Sequence, residues 1–91
     1  MTPIHTFQKD PDAVLDFGID WSGWLDGDTI TASAWTIPAG LTGGDESHDA
    51  KSTTVWLSGG IAGQRYMLTN RVTTAGGRTD ERTVRVDVNN R

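Results

Sequence analysis

Cysteine is absent from the chain, so neither disulfides nor thiolate metal centres can staple the fold. Long apolar runs are missing too. None exceeds three residues (13–15, 55–57 and 66–68), far short of the roughly 20 that a membrane-spanning helix requires. Helical spacing of apolar residues appears over no useful length, which argues against a helical bundle. The opening MTPIHTFQKDPD lacks the basic-then-apolar order of a secretion signal. That points to a protein made and kept in a cytoplasm, or delivered without the general secretory route.

What remains is a chain of 91 residues, enough for one domain. A chain of this size buries only about 60–65% of its unfolded surface, so its core is thin and each large apolar side chain counts. Without staples, such a chain commonly leans on partners for part of its stability. Its charge is divided. Residues 1–51 hold nine acids against two lysines, a balance of −7, whereas residues 52–91 hold six arginines against three acids, a balance of +3. The two sets can face each other across one domain, lie in solvent, or attract neighbouring copies and partners. A surplus this small, within an acidic total, disfavours nucleic acid as a partner.

Alternation with a period of two runs through most of the chain. Val84, Val86 and Val88 share one face of a final strand, with Thr83, Arg85 and Asp87 on the other. Before it, Tyr66, Leu68 and Val72 oppose Met67, Arg71 and Thr73, and the glycines of Thr74-Ala75-Gly76-Gly77-Arg78 suit a tight hairpin between the two. Thr53, Val55 and Leu57 form another inward set. In residues 29–37, Ile30, Ala32 and Ala34 fall on one face and Trp35 and Ile37 on the other, until Pro38 ends the strand. Residues 39–51 read as a loop holding at most one short edge strand. At the front, Leu15, Phe17, Ile19 and Trp21 alternate with Asp16, Gly18, Asp20 and Ser22. About six or seven strands in a chain of this length predict an all-β, immunoglobulin-like antiparallel β-sandwich, with a small β-barrel as the alternative.

The stretch DFGIDWSGWLDGD carries two tryptophans and four aspartates. Trp21 continues the inward parity of its strand, and Asp26-Gly27-Asp28 is a turn signature, so the stretch reads as a buckle that closes the end of the core. Asp16 and Asp20 fall on the outward parity. A calcium loop would need oxygens converging on one point, and the required spacing is not met. Carboxylates for glycoside cleavage would need a cleft that so short a chain has no room to build. Ser47-His48-Asp49 has the letters of a catalytic triad, but three neighbours cannot readily form the relay. GGIAGQ lacks the lysine and hydroxyl of a phosphate loop. Trp35 and Trp56 lie opposite their strands' aliphatic sets, where an indole can meet a partner protein or stack on a sugar.

An ordered set of motifs carries a family resemblance. It runs from Lys9-Asp10-Pro11-Asp12 and Val14-Leu15-Asp16-Phe17 through Ile19-Asp20-Trp21, Trp24-Leu25, Asp28-Thr29-Ile30 and Ser33-Ala34-Trp35. It continues through residues 54–60, Gly63 with Tyr66, Leu68-Thr69-Asn70 and Val72-Thr73-Thr74, and ends at residues 77–82. Across about residues 9–88 the chain resembles small virion proteins of tailed bacteriophages, immunoglobulin-like adaptors or connectors between fibres and the tail, baseplate or neck. The resemblance implies a non-enzymatic protein without cofactor or metal, located in the virion after synthesis in the host cytoplasm. It implies other virion proteins as partners and several copies in a symmetric array, while the charge balance and the short apolar runs argue against a nucleic-acid or membrane partner. A glycan-binding β-sandwich is the alternative. On this reading residues 1–9 are an N-terminal arm that orders on a partner through Ile4 and Phe7, and residues 10–91 are the sandwich. Asp16, Asp20, Trp35, Trp56, Arg71 and Arg85 are the remaining candidate partner contacts.

Overall fold

The computed structural model describes residues 5–89. Seven strands and one helical turn follow in chain order: β1 (His5–Lys9), β2 (Leu15–Asp20), α1 (Ser22–Leu25), β3 (Ile30–Thr36), β4 (Leu41–His48), β5 (Ser52–Gly59), β6 (Arg65–Thr74) and β7 (Thr79–Val88). They form a four-stranded sheet of order β1-β7-β6-β3 and a three-stranded sheet of order β2-β5-β4. The body is therefore an all-β sandwich and not a closed barrel.

The alternating residues of both sheets meet in one core. Val55 and Leu57 of β5 and Ile19 of β2 face Leu68 and Val72 of β6 and Val84, Val86 and Val88 of β7, all of them buried. The last two strands form the expected antiparallel hairpin, in register from Arg65↔Asp87 to Thr73↔Thr79. At the far end, Tyr66 lies over Gly40 and its hydroxyl accepts the Ile61 N–H at 3.0 Å. Gly40 has a φ of +101°, and a Cβ there would come within 2.8 Å of the tyrosine ring, so only glycine fits.

Three expectations are corrected. On β3, Ile30 and Trp35 both face inward, whereas Ala32 and Ala34 are exposed. A shift in the β3–β6 register between Ile30 and Ala32 reverses the alternation, because one extra residue moves every later side chain to the opposite face. Residues 41–48 form a full edge strand of eight residues instead of a loop. Finally, His5–Lys9 is no free arm: it pairs in parallel with β7, from His5↔Val84 to Lys9↔Val88. Phe7 needs no core of its own, because it packs against the existing one.

Lys9 anchors that first strand. It is fully buried, and its Nζ donates to the carbonyls of Gly59 (2.7 Å) and Asp10 (3.0 Å). Burial pushes its pKa below the usual lysine value, while Asp10 and Asp12 pull the other way.

Candidate functional site

The tryptophan buckle is built as the residues suggested. Trp21 is completely buried, and Trp24, half-buried, meets it edge-on with ring centroids 5.3 Å apart. The turn between them is α1, ended by Asp26 in the left-handed conformation at a φ of 48°. Arginines from the β6–β7 hairpin close the corner. The Arg78 guanidinium lies 4.3 Å from the Trp24 ring centre and that of Arg82 lies 4.2 Å from the Trp21 ring centre. Arg78 also pairs with Asp28 at 3.1 Å and donates to the carbonyls of Trp24 and Leu25. Part of the divided charge is thus matched within the domain.

Beneath the buckle, Asn70 joins the two sheets. Its Oδ1 accepts from the Trp21 indole N–H (3.0 Å) and the Thr53 hydroxyl (2.6 Å), and its Nδ2 donates to Ser33 Oγ (2.9 Å) and the Ala34 carbonyl (3.1 Å). Every hydrogen-bonding capacity of this buried amide is used. Two acids of the front half hold turns, Asp49 its own and Asp28 that of the distant β6–β7 hairpin. Asp49 accepts from the N–H groups of Lys51 and Ser52, and Asp28 from those of Thr29 and Gly76. Hydrogen bonds to Asp28 from Thr74, Thr29, Gly76 and Arg78 hold its carboxyl far below the usual range. Bonds from Ser22 lower Asp20, with a smaller contribution from Arg82.

The candidate partner residues separate into several places. Asp16, Asp20 and Trp56 come together on the outer face of the three-stranded sheet, where Asp16 pairs with Trp56 across β2 and β5. Trp56 remains 42% exposed. Gly44 leaves this face without a side chain beside Trp56, and Gly18 leaves it without one across from Thr54. A Cβ on Gly18 would meet the Thr53 carbonyl at 2.9 Å, and one on Gly44 would crowd Trp56 Cβ at 3.3 Å. Arg71 and Arg85 lie on the outer face of the other sheet, already paired with Glu81 (3.3 Å) and Asp87 (3.0 Å), and Met67, directly across from Arg85, is 43% exposed. Trp35, expected as a partner contact, belongs to the core because of the β3 bulge. Phe7 lies where the sheets meet, its ring 4.9 Å from that of Phe17. Ile4 lies outside the described residues.

Four features escaped sequence reasoning: Asn70, Lys9, the arginines over the indoles, and Glu46, whose Oε1 accepts the Trp35 backbone N–H at 3.2 Å. Asn70 had a signal, a polar residue on the inward parity between Leu68 and Val72. The others depend on long-range approach and had none.

Comparison with known proteins gives two findings. A family model described as podophage GP4 fiber-tail adaptor protein gp77 matches residues 9–87. Among solved structures, the chain is similar to the solution structure of the PKD domain from KIAA 1837 protein, with a TM-score of 0.55 at 19% identity, over 98% of this chain and 82% of that one. At that identity the likeness concerns the fold alone. None of the curated proteins matches.

Proposed function

Since the chain belongs to the podophage GP4 fiber-tail adaptor protein gp77 family, we propose that it is a non-enzymatic component of a tailed-phage virion that joins fibres to tail or neck proteins. The match over residues 9–87 is the observation that carries this reading. The body suits the task. It measures about 41 × 25 × 20 Å, and its two sheets are joined by one core, the Asn70 bridge and the arginine-braced corner, as a connector between partners requires. Several copies would stand in a symmetric array. Asp16, Asp20 and Trp56 would serve as contacts on one face, and Arg71 and Arg85 on the opposite face.

The test is to delete the gene and examine purified particles by electron microscopy and mass spectrometry. Particles that assemble heads and tails but lack fibres support the reading, as does the presence of the chain in wild-type particles. Fully fibred particles without the chain would refute it.

A further inference from the structure

The sandwich exposes four sheet edges, and they are not equally protected. Unpaired edges invite foreign strands, and proteins blunt them with bulges, charge, brevity or a covering group. The β3 edge carries the Glu46 carboxylate on its Trp35 N–H. On β4 the register shifts between Gly43 and Glu46, with Asp45 inside the bulge. β1 is only five residues long. β2, six residues long and carrying Asp16 and Asp20, differs in regularity: it pairs with β5 without a bulge from Leu15↔Leu57 to Asp20↔Ser52, and it contains neither proline nor lysine.

The direction of its open groups follows from one bond. Trp21 N–H donates to the Lys51 carbonyl at 2.8 Å, which continues the β2–β5 register. Trp21, Ile19, Phe17 and Leu15 therefore turn their backbone groups toward β5, and Asp16, Gly18 and Asp20 turn theirs away from it; the Asp20 carbonyl accepts from Arg82 at 3.4 Å, so the open stretch is that of Asp16 and Gly18. The rim of this edge is apolar. Val14 is 62% and Leu15 40% exposed, and half-buried Phe17 rests on Phe7. On the outer face the same strand presents Asp16 and Asp20, with exposed Trp56 directly across from Asp16.

We propose that β2 is a strand-addition site whose occupant is an extended segment of a neighbouring virion protein, with apolar residues at alternate positions and lysine or arginine between them. The proposal rests on the adaptor reading above and names the chemistry of its partner. The apolar residues of the added strand cover Phe7, Leu15 and Phe17. Its cations pair with Asp16 and Asp20, and the one opposite Asp16 reaches the face of the Trp56 indole. Complementary charge selects this occupant over an acidic or neutral strand.

The experiment uses the full chain and two synthetic blocked octapeptides, one alternating valine with lysine and the other valine with glutamate. Amide exchange at Asp16 and Gly18 is followed by NMR, and binding by tryptophan emission. The lysine peptide is expected to slow exchange at both amides at least tenfold and to shift emission in the parent but not in Trp56→Phe. Asp16→Lys, with its melting temperature shown to be unchanged, is expected to weaken that peptide about tenfold. Equal binding of both peptides, protection on β4 or β1 instead, or an emission shift caused only by a neutral oligosaccharide would overturn the proposal. Exchange measured on intact particles separates the two levels. If the chain is present in particles yet Asp16 and Gly18 exchange as in the free protein, strand addition fails while the adaptor reading stands; absence of the chain from particles defeats the adaptor reading itself.

Discussion

Replacing Asn70 with alanine should be among the most damaging single changes in this domain. The substitution deletes four hydrogen bonds, to Trp21, Thr53, Ser33 and Ala34. At about 1 kcal/mol net apiece, with the Trp21 N–H left buried and unpaired, the loss comes to about 3–5 kcal/mol. A domain of this length holds only about 5–14 kcal/mol in all. With about 4–8 °C of melting temperature per kcal/mol, a fall of at least ~12 °C follows. Urea titration followed by tryptophan emission, with calorimetry alongside, measures it. Thr53→Val supplies the decisive control. In the parent it removes a bond to Asn70, but in Asn70→Ala it removes a hydroxyl that has lost its partner. The double variant should therefore be more stable than the sum of the single losses predicts. A loss under about 1 kcal/mol for Asn70→Ala, or strict additivity, would refute the bridge.

Three further perturbations probe other parts of the structure. The depressed Asp28 carboxyl stabilises the fold at pH values above the usual aspartate range, and that contribution fades as acidity approaches its folded value; Asp28→Asn should flatten the acid limb of melting temperature against pH, and an unchanged limb would contradict the assignment. Lys9 gives the same direction of pH dependence for a different reason, because burial disfavours its charged form. Because its folded pKa lies below the ordinary value, the parent should gain stability relative to Lys9→Met as pH rises from the folded pKa toward about 10.4, and a constant difference between the two melts would count against its burial. Gly40→Ala should cost about 2–3 kcal/mol in urea titration, from positive φ and collision with Tyr66, and a neutral result would contradict that packing.

Much of the fold was legible because half-buried strands announce their parity. The valines of β7, the β5 set, and Ile19 and Trp21 of the β2 set are buried where alternation put them, whereas Phe17 is half-buried and Leu15 exposed at the sheet edge. Alternation fails wherever one residue is inserted. The β3 bulge sent Trp35 into the core and the alanines outward, and no local signal marked it. β4 looked like a loop because a nearly fully exposed edge strand has no apolar face to alternate. The first strand misled for another reason: its partner, β7, lies at the far end of the chain, and Lys9 counts as a surface residue until the Gly59 carbonyl is known to approach it. At the candidate site, Asp16, Asp20 and Trp56 could be named individually. Their assembly on one face, beside the best-formed open edge, depends on the pairing of β2 with β5.

Electron cryomicroscopy of intact particles bears most directly on the role assigned to this domain. Density for the seven-stranded body at the junction of tail and fibre, in contact with both, is the result expected. A particle whose fibres join the tail without it would contradict the account.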